Sequence, residues 1–203
     1  MKKLLSLFIV IIITATFGGI SHATVIVDTG PGTNEVGWVL GNSQWLAAEF
    51  TLNQPYLITD VQGWIQDGGG FAAGDITIAI YNDGGEVPGS TELFSQSFFQ
   101  SMDLPTSYGL HGLSGLDWLL PADTYWVAFE VRGSSTYAGG MQYALANPLE
   151  NEAFRLSYTS WAEADYLDIA LRIEGNPVPE PATLLLFGSG LVGLAGLRRK
   201  FRN

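Results

Sequence analysis

Between Thr24 and Pro177 the chain holds one histidine, His111, in Tyr108-Gly109-Leu110-His111-Gly112-Leu113-Ser114-Gly115. A serine–histidine–carboxylate site would have to use it, with Ser114 or Ser107 as the nucleophile. No Gly-x-Ser-x-Gly elbow accompanies it, and a single histidine among glycines reads as a solvated side chain in a flexible loop. One histidine cannot build a multi-histidine metal centre. The complete absence of cysteine removes disulfides, zinc–thiolate sites and cysteine nucleophiles. Carboxylates are plentiful, and a pair of them could hydrolyse a glycoside if held ~5–5.5 Å or ~6.5–9.5 Å apart. Glu130, which alternates with Trp126 and Ala128, is the best candidate for such a role. On a half-buried strand, however, a charged residue at that position ordinarily faces water.

Two loops concentrate oxygen ligands of the kind a hard cation takes: Asp67-Gly68-Gly69-Gly70 and Asn82-Asp83-Gly84-Gly85-Glu86. Neither has the Asp-x-Asp-x-Asp-Gly pattern of an EF-hand, and the second serves equally as a hairpin turn. No cofactor is expected; calcium is possible, with no ligand set defined. The 6 tryptophans all fall between Trp38 and Trp161. Most should be core, because each buries ~150–250 Å². Trp64, alternating with Asp60 and Gln62, and Trp161, near Glu163 and Asp165, are the candidates for an exposed sugar-stacking platform.

Short strands must position these residues. Ile76, Ile78 and Ile80 share one face, with Thr77 and Ala79 on the other. Leu167, Ile169, Leu171 and Ile173 alternate with Asp168, Ala170, Arg172 and Glu174. Tyr125, Val127, Phe129 and Val131 alternate with Trp126, Ala128 and Glu130. Thr59, Val61, Gly63 and Ile65 alternate with Ile58, Asp60, Gln62 and Trp64. This period of two is the mark of half-buried strands. Residues 45–52, 92–99, 141–146 and 154–158 add further candidates. Turn-forming clusters at 28–33, 67–70, 82–90, 102–108, 139–140 and 146–151 separate them. No long helical periodicity occurs. The pattern predicts an all-β fold, an antiparallel β-sandwich of the jelly-roll kind, and excludes a parallel α/β fold for want of crossover helices.

The whole chain has 203 residues, 47% of them hydrophobic and 14% charged, with a net charge of −11. Six of the 9 basic residues lie at its ends. Between Thr24 and Pro177 only Arg132, Arg155 and Arg172 stand against 19 carboxylates, a net charge of −16. A nucleic-acid partner is excluded, because phosphate binding needs clustered basic side chains. So acidic a body also repels anionic polymers at low salt.

The ends read as addresses rather than fold. Met1-Lys2-Lys3, the apolar run Leu4–Ile13 and the small-residue stretch Ser21-His22-Ala23 follow the order of a secretory signal peptide over residues 1–23. Residues 24–175 are the expected ectodomain. Residues 176–203 open with Asn176-Pro177-Val178-Pro179-Glu180-Pro181, whose prolines favour an extended segment. An uncharged stretch at 182–197 follows, rising ~24 Å as a helix against a ~30 Å hydrocarbon core. Arg198, Arg199, Lys200 and Arg202 close the chain as a basic stop-transfer cluster, which stays cytoplasmic under the positive-inside rule.

Pro179-Glu180-Pro181, an apolar helix and a terminal basic cluster, in that order, resemble the PEP-CTERM sorting signal. The resemblance implies recognition by exosortase, transient membrane anchoring through the helix, and delivery to the cell surface or an extracellular polymeric matrix. The phrases Ala48-Glu49-Phe50-Thr51-Leu52, Ile78-Ala79-Ile80-Tyr81-Asn82-Asp83 and Trp118-Leu119-Leu120-Pro121-Ala122-Asp123-Thr124-Tyr125-Trp126 resemble β-sandwich ectodomains of the choice-of-anchor type. That likeness implies a fold and brings no catalytic residues. The expectation is a non-enzymatic surface or matrix protein with a structural or binding role. The alternatives are a carbohydrate-binding, lectin-like module and a secreted polysaccharide hydrolase.

Overall fold

The computed structural model describes residues 23–30, 37–67, 72–102, 108–144, 149, 151–157, 159–164 and 166–178. Twelve strands lie among them: β1 (Thr24–Asp28), β2 (Trp38–Gly41), β3 (Gln44–Thr51), β4 (Tyr56–Gln66), β5 (Gly74–Asp83), β6 (Pro88–Gln100), β7 (Tyr108–Leu120), β8 (Thr124–Glu130), β9 (Ala138–Met141), β10 (Glu152–Leu156), β11 (Ala162–Glu163) and β12 (Leu171–Pro177). No described residue is helical. The all-β expectation holds. The expected signal peptide and the apolar segment 182–197 lie outside the described residues.

Every pairing is antiparallel, and the strands form one hydrogen-bonded sheet in the order β1-β12-β4-β9-β2-β3-β8-β5-β6. β7 pairs with β4, and β10 joins β3 to β11. Continuity between the halves rests on short contacts. β2 meets β3 only at Gly41 and Gln44, across the turn Asn42-Ser43, and β9 meets β4 only at Met141 and Ile65. These two short junctions separate the β1-β12-β4-β7 part of the sheet from the β3-β8-β5-β6 part.

One core fills the space between the halves. Val61, Ile65, Leu113, Leu171 and Ile173 come from one side; Ile76, Ile78, Ile80, Val127 and Phe129 come from the other. Each such side chain contributes roughly 1.5–3 kcal/mol by leaving water. The halves approach closely at Gly63: a Cβ there would lie 3.1 Å from the Phe129 ring and 2.6 Å from the Met141 methyl. Farther along, Phe94 of β6 stacks on Trp118 of β7 at 5.4 Å and 12°.

Four local expectations are corrected. The glycine-rich stretch 108–115 is not a loop but the first part of β7, paired along β4 from Tyr108↔Gln66 to Ser114↔Asp60. Pairing supplies the hydrogen bonds that glycine-rich sequence could not guarantee. Ile58 is not on the outer face with Asp60. The register breaks between these two residues on both sides of β4, so Ile58 and Val61 both enter the core. Gly115, at φ +69, takes the matching irregularity in β7. Gly139-Gly140 is not a turn but part of β9, opposite Leu40 and Val39. Finally, Leu167 and Ile169 are buried as their alternation predicts, but regular strand begins only at Leu171. Asp168, at φ 47, interrupts the extended backbone before it.

Candidate functional site

β8 crosses the middle of the second half, between β3 and β5. Its inner face carries Tyr125, Val127 and Phe129 into the main core. Its other face is also covered. Trp126 and Ala128 join Ala47 and Ala153 in a second cluster, packed against Tyr81, Val87 and Trp161. Glu130 lies on this covered face and is 0% exposed, so the outward, solvated position expected for it is wrong. The segment after β10 packs Trp161 against the Trp126 and Ala128 part of this face.

Glu130 is therefore held by partners rather than water. It accepts a hydrogen bond from Arg132 Nε and another from the Tyr81 hydroxyl at 3.0 Å. Arg132 Nη2 also donates to the Tyr81 oxygen at 2.9 Å and to Glu92 at 2.7 Å. Burial raises the Glu130 carboxyl above the usual range, against the hydrogen bond and charge of Arg132. Burial, and then the charge of Glu130, push the Tyr81 hydroxyl up as well. The arrangement satisfies a buried carboxylate. Glycoside hydrolysis needs one carboxyl able to donate a proton and another able to attack or activate water. Here Arg132 bridges Glu130 and Glu92.

His111 sits on β7 opposite Gly63, with Nε2 3.3 Å from Asp67 Oδ2. Ser114 lies three residues along the strand, opposite Asp60, and Ser107 is outside the described residues. The loop after β5 folds on its own oxygens. Asp83 Oδ1 accepts from Gly85 N at 2.8 Å, and Asn82 Oδ1 from Thr91 N at 2.9 Å. Residues 68–70 of the other proposed cation loop are outside the described set. No group of three or more histidine, aspartate or glutamate side chains among the described residues is placed to hold a metal.

Trp64 and Trp161 are on different halves of the sheet. Trp64 is half-buried on β4, opposite Leu110, and its backbone N–H donates to Ala170 O at 3.0 Å. Trp161 is half-buried, with its ring centroid 6.4 Å from those of Trp45 and Tyr81. Neither lines the cleft of about 590 Å³ beside β1 and β3, nor the groove of about 490 Å³ beside β10.

A buried acid that alternation alone did not single out is Glu152. It is 0% exposed on β10, and its carboxylate accepts the backbone N–H groups of Asp168 and Ile169, the latter at 2.8 Å. Its own carbonyl accepts from Ala164 N at 2.8 Å. One side chain thus ties β10 to the segment leading into β12. Burial pushes its pKa up to about 7, opposed by those backbone donors. The signal was present in the sequence: Glu152 lies two residues before Phe154, on the same strand face.

β12 carries the chain out of the fold. It continues past Gly175, with Asn176 opposite Leu57 and Pro177 opposite Tyr56, and Val178 N donates to Pro55 O at 2.9 Å. β1 pairs with β12 only as far as Gly175, so Pro177 has a strand on one side alone and its missing N–H breaks no second ladder. Residues 177–200 match the PEP-CTERM protein-sorting motif. This motif indicates an exported protein that exosortase sorts through the membrane to the cell surface. The matched segment begins at the last residue of β12, and Pro179, Glu180 and Pro181 follow just beyond the described residues. No curated protein matches the chain. Among the described residues no helix is long and apolar enough to cross a membrane, and the candidate span 182–197, like Arg198, Arg199, Lys200 and Arg202, lies outside them.

Proposed function

We propose that this chain is a non-enzymatic surface or extracellular-matrix protein whose folded domain has a structural or binding role. Residues 1–23 act as a cleaved signal peptide. Residues 182–197 are a temporary membrane helix, stopped by the basic cluster. Pro179-Glu180-Pro181 is the element exosortase reads. The observation carrying this reading is the motif match at 177–200, which starts where β12 ends. We take the folded-over sheet as a sandwich of the choice-of-anchor type, supported by the single core between its halves. Against hydrolysis stands Glu130, at 0% exposure and bound by Arg132 and Tyr81.

The motif assignment is tested by Glu180→Ala in the producing cell. Fractionation should find the wild-type chain at the cell surface and the variant retained in the inner membrane. Unchanged delivery of Glu180→Ala would contradict it.

A further inference from the structure

Three arginines serve a domain with 19 carboxylates, and two of them are neutralised. Arg132 pairs with Glu130 and Glu92, and Arg172 pairs with Glu174 at 2.6 Å. Arg155 pairs with no described carboxylate. It is held in another way. Arg155 on β10 lies directly opposite Trp45 on β3, and its guanidinium carbon sits 4.8 Å from the Trp45 ring centroid. Its Nε donates to Thr159 O at 2.7 Å. Trp45 is fixed in turn, with Nε1 donating to Val131 O at 3.0 Å. The Nη groups make no hydrogen bond to any described residue.

This pair lines the groove of about 490 Å³, together with Asn42, Val131, Leu156 and Ser157. Leu156 is 47% exposed at the lip. The groove thus combines apolar faces with hydroxyl and amide edges, as a pyranose ring does with its C–H faces and O–H rim. A guanidinium held over an indole and tied at Nε is restrained, and its Nη pair can grip a carboxylate with two parallel N–H bonds. We propose that the groove beside β10 binds a carboxylate-bearing sugar, a uronic acid residue, with Arg155 gripping the carboxylate and Trp45 and Leu156 supporting the ring. The assignment rests on the reading that the domain binds rather than catalyses. The net charge of −16 opposes a long polyanion, so a terminal or isolated uronate on a short glycan suits the site best.

The test uses the full chain in detergent, titrated calorimetrically with trigalacturonate and, separately, with galactotriose. The wild type should bind the acidic trimer at least roughly tenfold more tightly, a difference of ~1.4 kcal/mol. Arg155→Lys keeps the charge but loses the fork, and should weaken the acidic trimer roughly tenfold. Arg155→Gln should erase the preference for acid. If Arg155→Gln fails to fold by circular dichroism, Arg155→Lys carries the test. Equal affinity for both trimers, no binding of either, or wild-type affinity in the folded variants would overturn the proposal. A short glutamate peptide that binds as tightly as the uronate would overturn the sugar assignment. Export and tail processing of the Arg155 variants should match wild type. Absence of binding with both trimers left intact would sink this site alone, whereas cleavage of either trimer by the wild type would sink the reading that the domain binds rather than catalyses.

Discussion

Glu152 is the side chain whose ionisation should be felt by the whole fold. Its pKa of about 7 in the folded chain exceeds the ordinary 4.5 that it regains on unfolding. Below pH 4.5 it is protonated in both states. Between these values the folded chain holds a proton that the unfolded chain releases, so stability falls as pH rises and the loss is complete above the folded pKa. Urea midpoints should therefore drop between pH 5 and pH 8, and Glu152→Gln should flatten that slope. At pH 5, where folded Glu152 is itself protonated, the neutral amide is a close stand-in for it, so the variant should differ least from wild type there. A slope unchanged in Glu152→Gln would show that another group sets it. The Arg132 cluster makes a second demand. Arg132→Ala strands a carboxylate that is 0% exposed, and should destabilise by ~3–5 kcal/mol. Glu130→Met combined with Arg132→Leu should recover most of that loss in the same denaturation assay.

At the scale of elements, alternation revealed which faces meet the core but not where strands begin and end. The isoleucines of β5 and the apolar face of β8 were legible because their period of two is unbroken. β7 was not, because glycines at 109, 112 and 115 removed the side-chain pattern, and only its partner β4 defines it. Ile58 was misplaced because a bulge changes parity within a strand, and nothing local in the sequence announces one. The covered face of β8 was hidden for a related reason. Its cover, Trp161, comes from 35 positions away along the chain and reaches β8 only through the pairing of β10 with β3. The closeness of the halves at Gly63 gives an element-scale prediction. Gly63→Val should force Phe129 and Met141 apart and destabilise by ~1–3 kcal/mol, while Phe129→Ala should cost ~3–5 kcal/mol by leaving a cavity. Both are read as shifts in the urea midpoint. A neutral Gly63→Val would mean that the halves are not held as tightly as their contacts imply.

For the whole molecule, the sequence was clearest where the signals are short and contiguous. Charge order, an apolar run and a three-residue motif need no tertiary context, so the tail was legible without the fold. What the fold adds is position. β12 remains hydrogen-bonded through Val178, and Pro179 follows at once, so the sorting signal is joined to the domain with no intervening spacer. The central claim is that the tail is a signal to be removed, not a permanent anchor. It is tested most directly by the intact mass of the protein recovered from producing cells with and without exosortase. The account predicts a surface form lacking residues 184–203 when exosortase is present, and an unprocessed tail in the inner membrane when it is absent. A surface form that still carries Leu184 to Asn203 in normal cells would contradict it.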